Sequence, residues 1–128
     1  MAITLAEARY LNLATFRKNG TEVRTPVWFA LEDGLCYLFS TGDAGKVKRL
    51  RNSPRARVAP CDVRGNLLGE WQDAEGTLLA EPEHARAHRA LRRRYGWQMG
   101  LLDFFAGLSG RKRRRAYIAL RLADVSRP

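Results

Sequence analysis

The stretch Ser40-Thr41-Gly42-Asp43-Ala44-Gly45-Lys46 holds the residue types best suited to gripping an anion. Gly42 and Gly45 permit a tight turn and close approach of backbone to a ligand. A helix starting near Ala44 aims unpaired N–H groups and a partial positive charge at that turn. Lys46 and Lys48 add mobile point charges, and Ser40 and Thr41 add hydroxyls. Together they make a phosphate cradle. It is not a Walker-type loop, since G-x-x-x-x-G-K-[ST] is absent. The plainer alternative is a helix start with a solvated basic face. Two other groupings carry less. Cys61 and Asp62 could serve as nucleophile and base, but no His lies near them in sequence. An inert thiol buried in a strand is expected there. His84 and His88 stand four apart, as two metal ligands on a helix would, with no third ligand in sight. They are expected to be surface histidines, and no metal is assigned.

The charge is unevenly spread. The 128 residues carry 23 Lys and Arg against 13 Asp and Glu, a net of +10. Residues 1–83 balance, with 11 bases and 11 acids, whereas residues 84–115 hold ten bases and one acid, Asp103. Within the balanced part, Lys46, Lys48, Arg49, Arg51, Arg55 and Arg57 form a cluster without an acid between Ala44 and Cys61. Such patches call for an anionic partner: a nucleic acid, or a phosphorylated or polyanionic small molecule. No apolar run reaches the roughly 18 residues of a membrane span, no secretion signal is evident, and two cysteines make no disulfide scaffold. The reading is one domain over 1–128 in the cytoplasm, without a membrane partner.

The elements that must position the cradle follow from periodicity. Thr4-x-x-Glu7 is a capping box for a short helix. Tyr10–Phe16, Val23–Leu31 and Leu35–Ser40 are strands, with turns at Lys18-Asn19-Gly20 and Asp33-Gly34. Pro26 places its strand at an edge or a bulge. Lys46–Asn52 is helical, with Pro54 ending it. Arg55–Cys61 and Glu70–Leu79 are strands, Pro82 opens a helix to about Arg94, Met99–Leu108 is a second helix, and Ala116–Leu122 is the closing strand. The sum is a mainly β, small barrel with peripheral α-helices.

The stretches Leu13–Phe29, LATFRKNGTEVRTPVWF, and Leu38–Gly65, LFSTGDAGKVKRLRNSPRARVAPCDVRG, resemble the pyridoxamine-phosphate-oxidase-like split β-barrel superfamily. The order of elements extends the likeness over nearly the whole chain. It is nearest to the deazaflavin (coenzyme F-420)-dependent oxidoreductase branch. The resemblance implies a six-stranded, FMN-binding-like split β-barrel with short helices. It also implies a homodimer with the cofactor in a groove at the interface. The implied phosphate grip is the turn Ser40, Thr41, Gly45 and Lys46 with Lys48, and the cluster Lys48, Arg49, Arg51, Arg55 and Arg57 is placed to attract the oligoglutamate tail such coenzymes carry. Relatives that bind flavin mononucleotide (FMN) carry Ser-Arg-Lys where this chain has Ala44-Gly45-Lys46. They also carry an Arg and a closing Lys where it has Arg24 and Phe29. Those departures leave room for a deazaflavin in place of FMN.

The ring of such a cofactor needs an apolar slot and backbone groups for its edge. Pro26, Val27 and Trp28 are the candidates, because Pro26 removes one N–H from the ladder and frees a facing carbonyl. Trp28 or Phe29 must instead face the core, by alternation. The activity implied is hydride transfer between F-420 and a small conjugated substrate, with no acid–base side chain named. Two alternatives stay within the fold: an FMN-dependent oxidase and a tetrapyrrole binder. A third is an Arg-rich nucleic-acid module built on Arg86, Arg89 and Arg93 and the run 111–115. No reader motif and no interleaved aromatics accompany those bases, so nucleic acid is not the expected partner.

Overall fold

The structure is a computed structural model describing residues 4–32, 34–41, 44–109 and 115–122, with backbone alone at Thr41 and Ser109. Its strands are β1 (Tyr10–Phe16), β2 (Glu22–Val27), β3 (Ala30–Glu32), β4 (Leu35–Thr41), β5 (Arg55–Cys61), β6 (Gln72–Leu78) and β7 (Arg115–Leu122). The helices are α1 (Gly45–Asn52), α2 (His84–Tyr95) and α3 (Trp97–Ser109), with single 3-10 turns at Leu5–Glu7 and Glu81–Glu83. Every pairing is antiparallel, in the order β2-β1-β5-β6-β7-β4-β3.

That order forces curvature. β2 and β3 lie at opposite ends of the order, yet only Trp28 and Phe29 separate them in the chain. A flat seven-stranded sheet would hold its edges about 29 Å apart, far beyond the roughly 10 Å that two residues can bridge. The sheet therefore curls, bringing the end of β2 close to the start of β3. Pro26 sits on edge strand β2, where a missing N–H is tolerated.

The single strand expected over Val23–Leu31 is thus two strands, and the barrel has seven strands rather than six. Alternation continues through the break, so hydrophobicity alone does not reveal it. The backbone groups freed at the break are satisfied by Tyr95. Its hydroxyl oxygen lies 2.8 Å from both the amide nitrogen and the carbonyl oxygen of Phe29, and 2.9 Å from the Arg9 carbonyl. It accepts from the Phe29 N–H, and its one proton serves the carbonyls.

Inward-facing Leu11, Leu13, Phe29, Leu38, Val58, Ile118 and Leu120 fill the barrel, with Val47 and Leu50 of α1 added from one side. A second cluster lies outside, where Ala87, Leu91, Tyr95 and Met99 cover Tyr37, Tyr117 and Ala119. Along β7, Tyr117 and Ala119 join this outer cluster while Ile118 and Leu120 fill the barrel, a period of two. Gly76 is where α1 comes closest: a Cβ there would stand 2.8 Å from Leu50 Cδ2 and 3.1 Å from Leu120 Cδ2.

The two histidines are partly buried and engaged rather than free on the surface. The His84 ring nitrogen Nε2 lies 3.0 Å from the Leu79 carbonyl, and its ring leans on Tyr117. His88 also faces Tyr117, and its Nε2 is 2.5 Å from Asp103 Oδ2. The reason is position: both lie on the side of α2 turned toward β7 and α3. Asp33, Gly42, Asp43, Gly110 and the basic run 111–114 lie outside the described residues.

Candidate functional site

The site begins where β4 hands over to α1. Ser40 stands next to last in β4, opposite Ala116, and Gly45 starts the helix four residues after Thr41, the last position of β4. Lys46 is half-buried, and its Nζ lies 3.3 Å from Ser40 Oγ, so the ammonium donates to the hydroxyl. Arg49, one turn later, folds back over the start of the helix. A Cβ on Gly45 would stand 2.7 Å from Arg49 Nη1, so glycine is what leaves room for the guanidinium. Arg49 Nε also donates to Thr15 Oγ1, at 2.6 Å, which ties the side chain to the end of β1.

Burial pushes the Lys46 pKa down, and Arg49 pushes it further. Burial also lowers that of Arg49, and Arg17 adds to the effect. Among the described residues no carboxylate lies within ion-pair distance of Lys46, Arg49 or Arg17. Cations held close together in this way are stabilised by an anion. Arg17 extends the charge into a concavity of about 330 Å³ lined by Phe16, Arg17, Lys18, Gly20, Asn52, Ser53 and Arg55. No acid lines it, and Arg55 lies over the Phe16 ring at 4.0 Å.

The other bases of the cluster behave differently. Arg57 pairs with Glu22 at 3.4 Å and Asp73 at 3.7 Å, and Arg24 pairs with Glu22 at 2.9 Å. Both guanidiniums also lie over Trp71. Lys48 and Arg51 are exposed on the outer side of α1. Thr41 pairs with Arg115 in the sheet, and its hydroxyl lies outside the described atoms. Pro26 and Val27 end β2, opposite Asn12 and Leu11. Trp28 lies in the crossing, stacked on Tyr95 at 4.3 Å and 9°. Phe29, where FMN-binding relatives place a Lys, is wholly buried in the barrel. β3 then enters beside β4, with Ala30 opposite Tyr37.

Arg17, Arg49 and Thr15 complete a cradle whose sequence signal was only partial. Arg49 belongs to the basic run, but nothing in the spacing shows that it returns over Gly45 to meet a hydroxyl on β1. Asn12 was missed entirely. It is buried beneath Gly65, to whose carbonyl its Nδ2 donates at 3.0 Å, and its Oδ1 has no partner among the described residues. Cys61 is buried, its thiol pushed up to about 11 by burial and by Asp62, as an inert strand cysteine would be. Burial also pushes Cys36 up. Asp62 instead organises its own turn, accepting from the amides of Arg64 and Asn66, both at 2.9 Å.

Comparison with solved structures places this architecture. The chain superposes on the haem storage protein HutZ of Vibrio cholerae with a TM-score of 0.70, at 14% identity, covering 93% of this chain and 84% of that one. A candidate pyridoxamine 5′-phosphate oxidase from Listeria innocua gives 0.64 at 11% identity, covering 94% and 88%. An F420 reductase gives 0.60 at 20% identity, covering 94% and 91%. The chain has the split β-barrel fold. No family model and no curated protein sequence matches it. At these identities the split barrel is what the neighbours share with this chain. Those neighbours include oxidoreductases and haem-binding proteins alike. No helix of the described residues is long and apolar enough to cross a membrane.

Proposed function

We propose that this split barrel is an oxidoreductase that binds the deazaflavin coenzyme F-420 and passes hydride to a small conjugated substrate, as a homodimer with the cofactor in the interface groove. The observation that carries the reading is the pair Lys46 and Arg49 at the start of α1, with Arg17 acting on Arg49, a group with no carboxylate partner among the described residues. A phosphate there would satisfy two partly desolvated cations, the hydroxyl of Ser40 and the free N–H groups of the first turn. The basic concavity beyond Arg17 suits a further anionic chain such as the oligoglutamate tail of that coenzyme. FMN fits less well, because buried Phe29 and the engaged Arg24 replace the second-strand bases of FMN-binding relatives.

A reduced deazaflavin, when bound, supplies a hydride. The chain's residues bind and orient. Lys46 and Arg49 anchor the phosphate, and the end of β2 with Trp28 offers a flat apolar wall, backed by Tyr95. No described side chain is needed as acid or base.

The test is a titration of F-420 and FMN side by side, followed by fluorescence and absorbance. The wild-type chain is expected to bind F-420 more tightly than FMN. Lys46→Ala removes a charge-assisted contact, so affinity should fall roughly tenfold or more. Tighter FMN binding, or affinity that Lys46→Ala and Arg49→Ala leave unchanged, would overturn the assignment.

A further inference from the structure

α3 is built inside out. Its single carboxylate, Asp103, is buried, and so are Met99 and Ala106. Its large apolar residues face solvent: Trp97 is 74% exposed, Phe104 62%, Phe105 59% and Leu108 73%, with Leu101 beside them. The spacing 97, 101, 104, 105, 108 is one helical face, and 99, 103, 106 is the opposite one. The orientation is locked. Arg115, itself buried on β7, donates to Asp103 Oδ1 at 2.7 Å, while His88 of α2 meets Oδ2. Turning α3 over would break a buried ion pair.

The apolar face has a basic rim on both sides. Arg92 reaches across from α2: its Nη2 is 3.6 Å from where a Cβ on Gly100 would stand, one turn from Phe104. Arg9 donates to Gln98 at 3.1 Å on the other border, beside Leu101 and Phe105. Asp103 is the one acid of α2 and α3, and α2 carries five arginines. A convex ridge of Trp, Phe and Leu edged by arginine matches the apolar zone and headgroup charge of a lipid bilayer surface. A second copy pairing through the same face would set rim against rim, arginine against arginine. A nucleic acid would leave the apolar residues in water.

We infer that the exposed face of α3 docks this protein peripherally on an anionic membrane surface, through Trp97, Leu101, Phe104, Phe105 and Leu108 with the arginine rim.

The test is co-sedimentation of the full chain with phosphatidylcholine vesicles containing or lacking phosphatidylglycerol, in parallel with gel filtration. Binding is expected to require phosphatidylglycerol and to weaken as salt rises. Phe104→Ser with Phe105→Ser changes only exposed side chains, so the fold should stand. It should lower vesicle affinity roughly a hundredfold. Arg9→Gln, which removes an exposed cation of the rim, should lower it roughly fivefold. The inference is overturned by no sedimentation with either vesicle, or by binding that the double serine variant leaves intact. It is also overturned if that variant turns a dimer into a monomer and wild type binds no vesicles, which would assign the face to a second copy. A labelled duplex shifted by a protein that ignores vesicles would overturn it too.

Discussion

The start of α1 and the α2–α3 pair are both arginine-rich, yet they handle charge in opposite ways. Around α1, Lys46 and Arg49 are partly desolvated and repel one another, with hydroxyls but no described carboxylate beside them. Around α2, several cations are occupied. Arg115 holds Asp103, Arg93 pairs with Glu32 at 3.0 Å, and Arg94 donates to the Ala8 carbonyl and lies over the Phe29 ring. The first region sets its cations beside hydroxyls and one another, whereas the second ties its charges into the architecture. Counting bases along a chain cannot separate the two conditions. Environment does, because a charge costs most where it is desolvated and unpaired.

The sharpest way to break that contrast is to remove the anion of the second region. Asp103→Asn leaves the buried Arg115 guanidinium without a counter-charge, and a loss of about 3–5 kcal/mol is expected in a urea melt. Burial works to raise the Asp103 pKa, but the hydrogen bonds from Arg115 and His88 outweigh it and leave it below 3.8. The wild-type chain should therefore keep this stabilisation above the ordinary carboxylate range and lose it as pH falls through the lowered value. The variant should lack that acid limb. A variant as stable as wild type would mean that the clamp does not hold α3.

Tyr95→Phe comes next. It strands the Phe29 N–H and C=O at the crossing between β2 and β3, with an expected cost of about 1–3 kcal/mol by the same melt. An effect near zero would show that the crossing finds other partners.

Removing a cation from the first region should do the reverse. Lys46→Met takes away a charge that burial and Arg49 disfavour, so stability should hold or rise slightly while F-420 affinity falls. In the wild type, stability should climb as pH rises through the lowered Lys46 pKa toward 10.5, because the unfolded chain keeps its proton longer. Lys46→Met should flatten that climb, and a clear loss of stability at neutral pH would refute the idea of an uncompensated site. The smallest effect belongs to Arg93→Gln, which breaks an exposed pair with Glu32 and should change stability by less than about 1 kcal/mol.

Much of this was legible in the residues. β1 over Tyr10–Phe16 and β5 over Arg55–Cys61 read directly from apolar–polar alternation and their turn and proline boundaries, and α1 from the spacing of Val47 and Leu50 before Pro54. The pairing of Ser40 with Lys46 follows from their closeness in sequence, six residues apart at the end of β4 and the start of α1. Local propensity and periodicity act over a few residues, so they determine elements and the groups at their ends. The split of Val23–Leu31 into two strands, the return of Arg49 over Gly45 to Thr15, and the burial of Asp103 between His88 and Arg115 needed the tertiary structure. Each depends on contacts between residues far apart in sequence, and in each the decisive quantity is whether a polar group meets water or a partner. The same limit explains α3. Its sequence reads as a second helix over Met99–Leu108, and which side faces solvent shows only in the structure, where the buried carboxylate Asp103 lies opposite the exposed apolar residues.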